Sequence, residues 1–138
     1  MRGPIARSPM LRHAAFGRWG AADPVALSRA AVHGFLEPQL LHTDTRSAGR
    51  ALGLEDPRTE LGEVKCPCLV ICGTRDAMVP IADGVEYARR LRAPLRMIVD
   101  CGHLLIGERP DACLDAIESF LHRIGEVDEL PIEPEVVG

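Results

Sequence analysis

The chain has 138 residues and a mass of 15.0 kDa; 46% of its residues are hydrophobic, and sixteen basic against twenty acidic side chains leave a formal net charge of −4. That balance, with the basic residues scattered rather than clustered, excludes an extended cationic surface of the kind that binds nucleic acid or an acidic membrane. The length suits one small domain, which at about this size buries roughly 68–70% of the surface its unfolded chain exposes and needs no metal or disulfide staple.

Residues 1–58 read as helical. Asp23-Pro24 offers an N-cap followed by proline at the first helical position, and Leu27, Ala30, Ala31, Gly34 and Phe35 recur at the spacing of one helix face, with Pro38 just past the expected end. A shorter helix is expected over Asp44 to Leu52, stopped by Gly53. The first twenty residues fit no single pattern.

Residues 59–125 have a different rhythm. Cys66 to Cys72 (CPCLVIC) is a short apolar run ending at Gly73, the pattern of a strand buried on both faces of a parallel sheet. Thr74-Arg75-Asp76 forms a polar turn, Ile81, Val85, Ala88 and Leu91 mark a helix face, and Pro94 precedes a second strand, Leu95 to Val99. A further turn, Asp100 to His103, leads past Pro110 into a final amphipathic helix carrying Cys113, Leu114, Ile117, Phe120, Leu121 and Ile124. The order strand, helix, strand, helix predicts parallel α/β architecture. Residues 126–138 hold five acids, two prolines and no base, and are expected to be a disordered or loosely docked, solvated tail.

Chemistry in open α/β sheets gathers beyond the carboxyl ends of the strands. Both strands here end in a turn with a titratable residue, Asp76 after the first and His103 after the second. A carboxylate that fixes the tautomer of an imidazole makes that imidazole a general base. Taken singly, Asp76 could be a turn-capping aspartate and His103 a structural histidine. Glu108 reads as an ion-pairing or loop-anchoring residue, outside the site.

These residues resemble the α/β-hydrolase family. Cys66-Pro67-Cys68-Leu69-Val70-Ile71-Cys72-Gly73-Thr74-Arg75-Asp76-Ala77-Met78-Val79-Pro80 is similar to that family's P-x-L-x-I-x-G-x-x-D-x-x-V-P strand. Cys101-Gly102-His103 through Glu108-Arg109-Pro110 is similar to its G-H-x-x-x-x-E-x-P segment. The resemblance covers roughly residues 50 to 124 and implies that Asp76 and His103 are the acid and base of a nucleophile-His-Asp triad. It also implies that residues 1–58 are cap helices, so the fold class is α/β, a partial α/β-hydrolase fold.

The family's nucleophile elbow, G-x-S-x-G, is not in this sequence: none of Ser8, Ser28, Ser47 and Ser119 has glycines at both minus two and plus two, and no glycine-rich oxyanion loop precedes them. The expectation is therefore the C-terminal portion of a hydrolase of small ester- or lactone-like substrates, inactive by itself, with the nucleophile left open between serine and aspartate. The alternative is a non-catalytic module. With only two strands expected, unpaired edges call for a homodimer or a complementing chain.

No cofactor or metal is expected. Cys66, Cys68 and Cys72 alternate along one strand face, but small buried hydrophobes explain them better than a metal or redox site, and Cys101 is a poor candidate nucleophile beside His103. An odd count of five cysteines and no apolar leader imply free thiols in a reducing compartment, with the cytoplasm as the expected location. The longest apolar run, Cys68 to Cys72, is five residues, against the ~20 that a membrane-spanning helix requires. Phe16, Trp19 and Phe35 are expected to pack helices together, with a role in lining a cap pocket as the alternative.

Overall fold

The computed structural model describes residues 2–41, 47, 49–50, 56–125 and 135–137. Its first part is helical, with α1 (Arg2–Arg7), α2 (Pro9–Phe16), a 3-10 turn at Gly17–Trp19 and α3 (Arg29–Leu41). Ser8 caps α2, its hydroxyl accepting the Leu11 N–H at 3.4 Å, and Pro9 occupies the first helical position, where no N–H is needed. Asp23 does not cap α3. Its Oδ1 accepts the Val25 and Ala26 N–H groups at 3.0 and 3.2 Å, closing a turn, and the cap passes to Ser28, whose Oγ accepts the Ala31 N–H at 3.0 Å. The helix thus begins later than Asp23-Pro24 suggested and continues through Pro38. The helix expected over 44–52 lies mostly outside the described residues.

Phe16 and Val32 are fully buried at the centre of this helical unit, joined by Ala6 and Leu27. Phe16 meets Phe35 edge to face, with ring centroids 6.4 Å apart and planes at 63°, a geometry that aromatic quadrupoles favour. The Trp19 side chain lies outside the described set. Arg12 ties the unit together, donating to the carbonyls of Ala6, Val25 and Leu27 at 2.5, 2.8 and 2.7 Å.

The second part alternates strand and helix as the apolar runs indicate: β1 (Val70–Gly73), α4 (Ile81–Leu91), β2 (Leu95–Ile98), a single turn α5 (Leu105–Glu108) and α6 (Pro110–Ile124). The strands are parallel, with Val70 opposite Leu95 and Gly73 opposite Ile98. A third parallel strand, β3 (Glu135–Val137), joins the outer edge of β2 with Glu135 opposite Arg96. Of the acidic tail, residues 135–137 are described, and there the backbone pairs with groups that β2 would otherwise leave unpaired at that edge. This open, mixed helix and parallel-strand arrangement is compatible with the α/β class, with three strands among the described residues rather than a complete hydrolase sheet.

Burial along the sheet is uneven. β2 is buried at Leu95, Arg96 and Ile98, whereas Val70, Ile71 and Cys72 of β1 are half-buried. The expectation that β1 is covered on both faces is not met, since it is the edge strand of the sheet. The three cysteines read as buried also differ: Cys66 is exposed, Cys68 is half-buried and both precede the strand, while Cys72 is half-buried within it. On α6, Cys113, Ala116 and Phe120 are buried, leaving Leu114, Ile117 and Leu121 exposed by 52, 39 and 60%. The apolar arc of α6 is wider than the sheet beneath it.

The two parts meet at the turn after β2. Leu104 packs into the helical core, while its neighbour Leu105 packs into the sheet core of Ile98, Cys101 and Cys113. Among the described residues, no helix is long and apolar enough to cross a membrane.

Candidate active site

The turns that follow β1 and β2 are sewn to each other by backbone bonds. Thr74 N–H donates to the Ile98 carbonyl at 3.0 Å, Arg75 N–H to the Cys101 carbonyl at 2.8 Å, and Asp100 N–H to Thr74 Oγ1 at 3.0 Å. Asp100 takes a left-handed conformation (φ 51°) that lets the chain reverse here. These bonds hold the carboxyl ends of two parallel strands in register, so the residues just beyond them share one crevice.

Asp76 and His103 meet in that crevice. Nδ1 of His103 lies 2.9 Å from Oδ2 of Asp76, across 27 positions of sequence. The other carboxylate oxygen accepts the Met78 and Val79 N–H groups at 2.8 and 2.9 Å. Asp76 is thus both the turn-capping residue that its position suggested and the partner of the histidine. Burial pushes its carboxyl up, but the Val79 amide, the His103 ring and the Met78 amide together outweigh that and hold it below the ordinary carboxylate range. An ionised carboxylate only accepts hydrogen bonds, so Nδ1 is the donor, and in the neutral form of the ring the lone pair is on Nε2. The Asp76 side chain is 8% exposed and that of His103 37%, so the carboxylate is enclosed while the ring stays accessible.

The chain is similar to 3-oxoadipate enol-lactonase 1 of Acinetobacter baylyi. The two are 28% identical over 78 residues, which are 56% of this chain and 29% of that protein, so the matched stretch spans under a third of the relative's length. No protein-family model and no solved structure matches the chain. This partial likeness to a lactone-cleaving enzyme hints at the α/β-hydrolase superfamily, the level at which the two motifs resemble it.

The N-terminal helical part reaches the site directly. Gly20 accepts the His103 N–H on its carbonyl at 2.8 Å and is left-handed (φ 74°); a Cβ there would sit 3.0 Å from Met78 Cγ and 3.1 Å from His103 Cβ. Only glycine meets both requirements. Glu108, read from sequence as an ion-pairing or loop-anchoring residue, anchors the loop, accepting hydrogen bonds from the backbone N–H groups of Ala22, Asp23, Gly102 and Leu104. Its place in the G-H-x-x-x-x-E-x-P segment was the available signal, but nothing periodic links it to Ala22.

An apolar groove of about 610 Å³ runs beside this turn, walled by Ala30, Ala31, Gly34 and Phe35 of α3 and by Gly107 and Glu108. Phe35 therefore both packs on Phe16 and lines a groove. A second cavity of about 600 Å³, bordered by Lys65, Cys66, Cys68, Arg90 and Arg92, lies at the opposite, amino-terminal end of the strands, away from the Asp76–His103 pair.

Cys101 is fully buried, and its thiol is pushed up to about 12, first by burial and then by the Glu108 carboxylate. That removes it as a nucleophile for His103 at neutral pH. Among the described residues, no three His, Cys, Asp or Glu side chains are grouped so as to hold a metal ion.

Proposed function

We propose that this chain supplies the acid and base of a hydrolase acting on small ester- or lactone-like substrates, with the nucleophile and the oxyanion donors contributed from outside these 138 residues. The single observation that carries the reading is the 2.9 Å contact between His103 Nδ1 and Asp76 Oδ2 at the carboxyl ends of adjacent parallel strands. In this reading Nε2 of His103 takes the proton from the attacking nucleophile as its oxygen bonds to the substrate carbonyl carbon. The same proton then passes from Nε2 to the departing oxygen; a water molecule, deprotonated in turn by Nε2, attacks the acyl carbon, and that proton passes from Nε2 to the nucleophile's oxygen as its bond to the acyl group breaks. Asp76 stays ionised throughout, orienting the ring and stabilising the imidazolium. In this reading the apolar groove of about 610 Å³ beside Phe35 takes the apolar acyl or ring portion of the substrate.

The exposed Leu114, Ile117 and Leu121 of α6, together with the edge of β1 that is unpaired among the described residues, support this reading as surfaces on which a nucleophile-bearing half would seat. The same surfaces favour a second reading, in which this is a non-catalytic module that pairs with another copy. Mixing the chain with an N-terminal half that carries the nucleophile and following a chromogenic ester separates the two. Turnover abolished by His103→Ala supports the enzyme; a stable homodimer with no turnover on mixing supports the module.

A further inference from the structure

Glu108 stands at the centre of the contacts around His103. Its Oε2 accepts the N–H of Ala22 at 2.7 Å, of Gly102 at 3.3 Å and of Asp23 at 3.4 Å, while its Oε1 accepts the N–H of Leu104 at 3.2 Å. With the His103 N–H on the Gly20 carbonyl at 2.8 Å, three successive amides, at 102, 103 and 104, all have assigned partners. The four amides divide unevenly, three on Oε2 and one on Oε1, and all of them donate to an acceptor-only carboxylate. The bonds to Ala22 and Asp23 bridge 86 and 85 positions of sequence, joining the N-terminal helical unit to the turn that aims the imidazole. The approach at this junction is close: a Cβ on Gly102 would overlap the Gly20 carbonyl oxygen and lie 2.5 Å from the Ala22 nitrogen.

We propose that Glu108 is the positioning residue of the site, its carboxylate clamping the amides on either side of His103 to those of Ala22 and Asp23 and so holding the imidazole against Asp76. The inference rests on reading Asp76 and His103 as acid and base, but its test needs no turnover. Glu108 is neither a second acid nor an ion-pairing residue here; both of its oxygens are occupied by backbone donors. The helical segment then does more than shape a pocket, because without it the clamp loses two of its four amides.

The test is NMR of the full ¹⁵N-labelled chain as wild type, Glu108→Gln and Glu108→Ala. Glutamine keeps one oxygen, which serves Ala22 and Gly102 best from the Oε2 position and turns its NH₂ toward the Leu104 N–H. Hydrogen bonds to a charged group are strong enough that removing them should speed amide exchange by about tenfold or more. In Glu108→Ala the amides of Ala22, Gly102 and Leu104 are expected to exchange that much faster, and the His103 Nδ1–H resonance to vanish, while the amides of β1 and β2 stay within about twofold of wild type. Glu108→Gln should be intermediate, with Leu104 alone accelerated and the His103 resonance broadened.

Two results overturn the proposal: an unaltered His103 resonance in Glu108→Ala, or β1 and β2 accelerating in step with the three amides, which marks a general stabiliser. Where Glu108→Ala does not fold, Glu108→Gln decides alone, a broadened resonance with faster Leu104 exchange supporting the clamp and an unaltered resonance overturning it. Failure of the hydrolase reading is a separate result, turnover indifferent to His103→Ala in the completed assembly.

Discussion

Gly73 lies directly against the backbone of Cys101: a Cβ on Gly73 would overlap the Cys101 carbonyl oxygen and sit 2.5 Å from the Gly102 oxygen and 2.8 Å from the Cys101 carbonyl carbon. The same Cys101 carbonyl accepts the Arg75 N–H. Asp76 and His103 can reach each other because the last residue of β1 has no side chain. Gly73→Ala is expected to destabilise the fold by about 2–3 kcal/mol through overpacking against backbone that cannot rotate away. Chemical denaturation measures that loss, and the His103 Nδ1–H resonance, which should weaken as the two turns are forced apart, reports the local effect. Wild-type stability in Gly73→Ala would contradict the close approach.

Asp76 makes stability depend on acid. Its native carboxyl is held below the ordinary value of 3.8, so its contribution is complete above the unfolded-state value and is lost as pH falls through the lower native one. Glu86 adds a surface contribution over the same window, held down to about 2 by hydrogen bonds from Arg89 and Arg90. The comparison is therefore made in a Glu86→Gln background. There, stability measured by urea denaturation between about pH 5 and pH 2 should fall less steeply in Asp76→Asn than in the protein that retains Asp76. Equal slopes would mean that the Asp76 carboxylate is not engaged by His103 and the two amides.

The thiols should separate into classes. Cys66 is exposed, Cys68 and Cys72 are half-buried, and Cys101 and Cys113 are buried, with burial pushing the thiols of Cys68, Cys72, Cys101 and Cys113 up. Alkylation of the native protein at neutral pH, mapped by mass spectrometry, should label Cys66 first and leave Cys101 and Cys113 untouched until denaturant is added. Native labelling of Cys101 would place its thiol within reach of reagents and reopen it as a nucleophile beside His103.

Local signals in the sequence located the two strands and the pair of catalytic candidates. A short apolar run closed by glycine, or preceded by proline, is decided by nearest neighbours, and both strands appear within a few residues of where those signals stand. The start of α3 was misplaced because Asp23 and Ser28 both suit a cap, and only the Pro24–Ala26 turn decides between them. The role of Glu108 and the conformation of Gly20 depend on partners more than eighty positions away, which no period in the chain encodes. The partial cover of β1 and the exposed arc of α6 were equally illegible, since an apolar residue looks the same in sequence whether or not anything covers it. β3 was missed because its composition is that of a solvated tail, and its pairing comes from the edge of β2.

In the proposed function Asp76 orients the His103 ring as its carboxylate partner. The most direct measurement is the rate of ester hydrolysis by the chain joined with a nucleophile-bearing half, wild type against Asp76→Asn, at neutral pH. Replacing the carboxylate by an amide presents the ring with the wrong tautomer while leaving the fold in place, and a fall of about 10³–10⁴-fold is expected, the scale known for triads of this kind. A rate within about tenfold of wild type would contradict the assignment of Asp76 and His103 as acid and base.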